Sequence, residues 1–169
     1  MIIGPVDPCG FITVRLRSGY AGVAFSGNGV VKIILPGLDR DRLRKLLSPW
    51  AGSPPSWAGD LAERVKRYFA GERVEFDDPV DMRGAGEFAR RIYTELRRVK
   101  WGEMVTYGGL AARVGNPSAA RAVGMVMAKN PVPLIVPCHR VARSDGGLGG
   151  FSAPGGVDFK KTMLALERG

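Results

Sequence analysis

The chain has 169 residues, 45% of them hydrophobic, enough for one or two small domains with packed cores. No run approaches the ~20 apolar residues of a membrane span, and two cysteines with a single histidine cannot make the usual four-ligand zinc site without carboxylates. The net charge of +9 is uneven: residues 79–169 hold 14 Lys and Arg against 7 Asp and Glu, whereas residues 1–78 hold 11 against 9, so the second half carries the face suited to a polyanion.

The opening Met1–Pro5 lacks the charged start and long apolar middle of a secretion signal, so an intracellular protein with free thiols at Cys9 and Cys138 is expected. Apolar and polar residues then alternate over Phe11–Arg17, Tyr20–Phe25 and Val30–Leu35, separated by Ser18-Gly19 and Gly27-Asn28-Gly29. This predicts a three-stranded antiparallel meander. Leu38–Leu47 reads as a short charged amphipathic helix stopped by Ser48-Pro49, and Trp57–Ala70 as a second helix stopped by Gly71. Val74–Phe76 is a candidate strand, and Asp77-Asp78-Pro79 with Arg83-Gly84 marks a linker.

The second half changes character. Glu87–Val99 places Phe88, Ile92, Leu96 and Val99 on one helical face, and Tyr107–Val114 is a short helix. Gly115-Asn116-Pro117 is a turn, after which Ser118 is expected to cap a helix running to Ala128. Helix, tight turn and small-residue helix make a helix-turn-helix pattern, which the surrounding positive charge favours as a DNA-binding element over a core hairpin. Leu134-Ile135-Val136 reads as an apolar strand, Gly146–Gly150 as a glycine-rich loop, and Val157–Arg168 as a closing helix.

Cys138 follows that apolar run within Pro137-Cys138-His139-Arg140, beside the sole imidazole of the chain. A thiolate is the reactive form of cysteine, and a neighbouring base raises its population, so the pair is a candidate nucleophile and base. Taken alone, a buried structural cysteine beside a chance histidine is the commoner reading of such a pair.

The motifs around the pair go further. Gly102-Glu103-Met104-Val105-Thr106-Tyr107, Asn116-Pro117, Ala120-Arg121-Ala122-Val123-Gly124, Asn130-Pro131 and Val136-Pro137-Cys138-His139-Arg140-Val141 together resemble the O6-alkylguanine-DNA alkyltransferases, or methylated-DNA–protein-cysteine methyltransferases, over roughly Phe88–Glu167. The resemblance implies an α+β protein. Residues 1–78 would form an N-terminal α/β, RNase H-like domain with an antiparallel sheet. Residues 79–169 would form a mainly helical, winged helix-turn-helix-like domain that binds DNA and accepts the alkyl group.

It also implies roles. Cys138 would take a methyl or small alkyl group from O6 of guanine, and weakly from O4 of thymine, once and irreversibly. His139 would withdraw the thiol proton through a water, held by Glu167. Tyr107 would protonate the leaving base, and Asn130 would join the recognition helix to the active-site turn. Arg121 would fill the gap left by a flipped nucleotide, while Ser118, Ala120, Ala122 and Gly124 would let the helix backbone approach the minor groove. The backbone groups of Ser152, Cys138 and Val141 would read the purine. The implied partner is double-stranded DNA containing O6-alkylguanine, and the protein would act as a monomer, without membrane, metal or cofactor, in the cytoplasm or on the nucleoid. The loop Gly150–Gly156 is about two residues longer than in some relatives, which bears on the pocket rim. Two other classes of reading stand beside this one: a non-catalytic damage sensor, and a cysteine hydrolase.

Overall fold

The structure is a computed structural model describing residues 8–169; the Met1–Pro5 segment read above against secretion lies outside the described residues. The chain divides into two compact units, Met1–Gly84 and Ala85–Gly169.

In the first unit, β1 (Pro8–Leu16), β2 (Gly19–Ser26) and β3 (Gly29–Leu38) form the expected antiparallel sheet in the order β1-β2-β3. The pairings Leu16↔Gly19 and Ser26↔Gly29 leave two-residue turns, as the Gly, Ser and Asn placement requires. β2 is buried from Ala21 through Ser26, residues of both parities, so both faces of the sheet are covered. One cluster joins Ala24 to Leu43 and Leu47 of α1 (Arg40–Leu47) and to Trp50 in the following 3-10 turn. Gly22 permits this approach, because a Cβ there would stand 2.5 Å from Leu47 Cδ1 and 2.9 Å from Leu43 Cδ1. The Asp39 carboxylate caps α1 by accepting from the Arg42 amide at 2.8 Å. α2 (Ala58–Phe69) buries Leu61, Val65 and Tyr68, and Trp57 meets Phe25 edge-on at 5.3 Å.

Val74–Phe76 is not a strand. Arg64 donates to the Glu75 carbonyl at 3.2 Å and, just beyond the segment, to both carboxylate oxygens of Asp78. Phe76 packs on Tyr68. Sheet pairing resumes later as a single parallel bridge, Val30↔Val80, tied by the Ser26 hydroxyl donating to Asp81 at 2.6 Å.

In the second unit, α3 (Glu87–Leu96) stops three residues short of the expected Val99, whose amide closes a turn on Leu96. β4 (Val105–Thr106) leads into α4 (Tyr107–Arg113), capped by the Thr106 hydroxyl accepting from the Gly109 amide at 2.9 Å. α5 (Ala120–Ala128) completes the helix-turn-helix. Its N-cap is Ala119 and not Ser118, since the Ser118 hydroxyl donates to Asn116 Oδ1 at 3.1 Å within the turn. β5 (Val141–Ala142) pairs in parallel with β4, and α6 (Gly156–Arg168) closes the unit.

The predicted strand Leu134–Val136 is a buried turn. Pro131, Pro133 and Pro137 remove the amide donors that a ladder needs. The Val136 amide instead reaches back to the Val132 carbonyl at 3.0 Å, and Leu134 takes a positive φ of 79°. Among the described residues no helix is long and apolar enough to cross a membrane.

Candidate active site

The turn that replaces the strand aims Cys138. Asn130 spans it from inside: its Nδ2 donates to the Val136 carbonyl at 2.8 Å, while its Oδ1 accepts from the Val132 amide at 3.1 Å. Cys138 then opens a 3-10 turn, Cys138–Arg140, with its amide on the Val136 carbonyl at 2.8 Å. All three side chains of that turn are buried.

His139 and Glu167, 28 residues apart in sequence, meet at 2.6 Å through Nε2 and Oε1 in the interior. Both oxygens of Glu167 are also gripped by Arg140, at 2.9 Å through Nε and 2.9 Å through Nη2, and the Gly102 amide donates to Oε2 at 3.2 Å. Burial alone would raise this carboxyl, but the hydrogen bonds and charges of His139 and Arg140 win and hold it at about 2. An ionised Glu167 accepts the proton on His139 Nε2, leaving Nδ1 as the lone-pair nitrogen of a neutral ring. Burial also holds His139 below 6.5, against the pull of Glu167.

The thiol of Cys138 is pushed up by burial, opposed by a hydrogen bond from Asn130 and the charge of Lys160. Lys160 lies on α6 and is fully buried, its ammonium donating to the Val141 carbonyl at 2.6 Å and to the Leu148 carbonyl. Burial lowers its own proton affinity, and a thiolate at Cys138 restores part of it. Thiol and lysine are thus coupled: ionising the sulfur favours the ammonium.

Cys138 lines a cleft of about 900 Å³ together with Tyr107, Ala120, Arg121 and Gly124 from the helix-turn-helix, Arg143–Asp145 after β5, and Gly149–Ser152. Tyr107 stands at the start of α4 with its hydroxyl against Gly149, where a Cβ would lie 2.6 Å from that oxygen and where φ is +69°. Burial and the nearby thiolate both raise the Tyr107 hydroxyl. Tyr93 of α3 donates to the Val126 carbonyl at 3.1 Å and so ties α5 down from behind.

Of the residues singled out from sequence, Cys138, Tyr107, Arg121, Ala120, Gly124 and Ser152 line this cleft. His139, Glu167 and Asn130 support it from within the fold. Ser118 is exposed in the helix-turn-helix turn and Ala122 half-buried on α5, neither among the lining residues. Val141 is buried with its carbonyl already bonded to Lys160. Sequence reasoning missed Arg140 and Lys160 as members of the network. A signal existed for Lys160: it lies seven residues before Glu167, two helical turns away on the buried face that also holds Met163 and Leu164.

Acid should unravel this network. The Glu167 carboxyl lies at about 2 in the fold against an ordinary 4.5, so its contribution is complete above about pH 4.5 and is lost as pH falls toward 2. The loss is on the order of 3 kcal/mol. A neutral buried His139 titrates in the same sense below 6.5. Urea unfolding at pH 7 and pH 3 should show about two thirds of this loss, and Glu167→Gln should shrink the difference between them; an undiminished difference would mean that other carboxylates dominate acid unfolding.

Residues 87–169 match the sequence profile of the family described as 6-O-methylguanine DNA methyltransferase, DNA binding domain. A methylated-DNA–protein-cysteine methyltransferase of Mycolicibacterium paratuberculosis is 46% identical over 119 residues, 70% of each chain. The crystal structure of the Mycobacterium tuberculosis O6-methylguanine methyltransferase superposes with a TM-score of 0.76 at 33% identity, covering 94% of this chain and 92% of that one. A crystal structure of Mycobacterium tuberculosis OGT in complex with DNA gives the same TM-score, 0.76, at 33% identity and the same coverage, 94% and 92%.

Proposed function

The chain belongs to the methylated-DNA–protein-cysteine methyltransferase family, and on that premise we propose that it repairs DNA by moving a methyl or small alkyl group from O6 of guanine to Cys138, once per molecule. The observation that carries this reading is that the sulfur lines the same cleft as Arg121 and Tyr107, with His139 and Glu167 paired behind it.

Sulfur attacks the alkyl carbon in line, so that the C–S bond forms as the C–O6 bond breaks. The thiol proton passes through a water to Nδ1 of His139, and Glu167 stabilises the imidazolium that results. Negative charge develops on the departing purine, which the Tyr107 hydroxyl protonates, and the proton held by His139 then returns through solvent to restore the tyrosine. The thioether is stable, so no step restores the thiol and no cofactor takes part. O4-alkylthymine presents the same kind of carbon and is the weaker substrate.

A sulfur recessed in a cleft cannot come in line with the alkyl carbon of a paired, stacked base, so the nucleotide must be rotated out at a cost of a few kcal/mol. Arg121 fills the vacated space from α5, whose small residues Ala120, Ala122 and Gly124 allow close approach to the minor groove, with Ser118 at the adjoining turn. The amide of Ser152 meets the alkylated oxygen, and the carbonyls of Cys138 and Val141 take the exocyclic amine. The Val141 carbonyl has one lone pair on Lys160 and one left for this contact. The protein acts as a monomer inside the cell, where duplex DNA and reduced thiols coexist.

Incubation with a duplex carrying one O6-methylguanine, followed by peptide mass mapping, should place a single methyl group on Cys138 and none on Cys9. Methyl on Cys9, or stable binding of the lesion with no transfer, overturns the reading; the second outcome would make the protein a damage sensor.

A further inference from the structure

The Glu167 carboxylate is shared. Its Oε1 faces His139 Nε2 at 2.6 Å and Arg140 Nη2 at 2.9 Å, while its Oε2 accepts from Arg140 Nε at 2.9 Å and from the Gly102 amide at 3.2 Å. The third nitrogen of the fork, Nη1, donates to the Val99 carbonyl at 2.6 Å, so the guanidinium is fixed at both ends. Such a two-pronged grip on a carboxylate inside a fold is costly to desolvate and strong once formed. A histidine orienter needs no such partner; a lone carboxylate would hold the ring equally well.

A lone buried carboxylate would do something else as well. It would draw a proton onto the imidazole, because an imidazolium–carboxylate pair cancels charge where water cannot. A protonated His139 cannot accept the proton of Cys138. We infer that Arg140 is a positioning residue whose guanidinium takes up the charge of Glu167, so that Glu167 orients His139 while the ring stays neutral and able to act as base. The inference rests on His139 being the base of the proposed transfer.

The charged groups that face His139 agree with this assignment. From α6 come Glu167 and Lys160, and from its own turn Arg140; the Cys138 sulfur meets the backbone of His139. The segment between α3 and β4 adds the Gly102 amide and the Val99 carbonyl around the same carboxylate. With Arg140 and Lys160 cationic and Glu167 anionic, the pocket already carries one surplus positive charge, and a proton on His139 would add a second. Removing the guanidinium reverses that balance in favour of the imidazolium.

Because His139 is the sole histidine, the C2 proton of its ring gives one titration curve in the intact protein. In the parent protein that curve should have its midpoint below 6.5. In Arg140→Met the midpoint should move upward, the acidic limb of the methyl-transfer rate should move upward with it, and the rate at pH 7 should fall about tenfold. Arg140→Lys keeps the charge and loses the fork, so its midpoint should fall between the two. A purely structural arginine would lower activity and stability and leave the midpoint in place, and that result overturns the assignment. Should Arg140→Met fail to fold, Arg140→Lys decides alone: a midpoint no higher than the parent's sinks the idea. The titration needs no alkylated DNA, so a protein that transfers no methyl yet shows these midpoints would refute the proposed function and keep the placement of Arg140.

Discussion

Cys138→Ala should abolish methyl transfer, by at least about 10⁴-fold, while binding of the alkylated duplex survives. The nucleophile has no substitute: Cys9 lies on β1 and does not line the cleft, and no other thiol exists in the chain. On the proposed reading binding is built from other parts, namely the backbone approach of α5 and the positive charge of the second half. The substitution removes one sulfur from a buried turn whose backbone is held by Asn130, so stability should fall by only about 1 kcal/mol. A gel-shift assay and a methyl-transfer assay on one preparation separate the two properties. Residual transfer by the variant would show that the acceptor has been misassigned; loss of binding would show that the sulfur takes part in holding the lesion.

Arg121→Ala should separate extrusion from chemistry. Arg121 is exposed on α5 and lines the cleft, yet belongs to no part of the His139–Glu167 network. If it fills the space of a flipped nucleotide, its removal returns part of the unstacking cost, on the order of 2–3 kcal/mol, and repair in duplex DNA should slow roughly 30- to 150-fold. Reaction with free O6-methylguanine requires no extrusion and should change by less than about twofold. Single-turnover rates on both substrates make the comparison. Equal slowing on the two would place Arg121 in the chemistry or in folding and remove it from the extrusion step.

The strands and helices were legible where hydrophobic periodicity met a turn residue. Gly27-Asn28 fixed one hairpin, and the apolar face of Phe88, Ile92 and Leu96 fixed α3. The two strands wrongly expected share a cause. Val74–Phe76 and Leu134–Val136 have strand-like side chains, but Arg64 takes the Glu75 carbonyl, and Asn130 and a local turn take the Val136 carbonyl and amide. Composition does not report which side chain will reach into a segment from elsewhere. Ser118 erred on a smaller scale, because Asn116 offered its hydroxyl a nearer partner than the helix did.

In the site, Cys138, His139 and Tyr107 were readable through long motifs, whereas Arg140 and Lys160 were not. A cation in sequence carries no mark of burial. Arg140 looks like one more contributor to the positive face until the fold closes it over Glu167, and Lys160 until two carbonyls enclose its ammonium. Networks of this kind exist only in three dimensions, joining residues 27 positions apart for Arg140 and Glu167.

Asn130 has a bearing on which lesions can be handled. Its carboxamide stiffens the short path between the end of α5 and the sulfur, with the Asn130 amide on the Met127 carbonyl at one end and the Cys138 amide on that of Val136 at the other. On the proposed reading Arg121 and Cys138 therefore form one jaw of a calliper, tied together by these bonds. The opposing jaw, Gly149–Ser152, is glycine-rich and partly open to solvent. Width for a larger adduct is most readily gained there and at the exposed Arg143–Asp145 segment, so divergence in adduct range among relatives should accumulate in these loops and leave the asparagine side untouched.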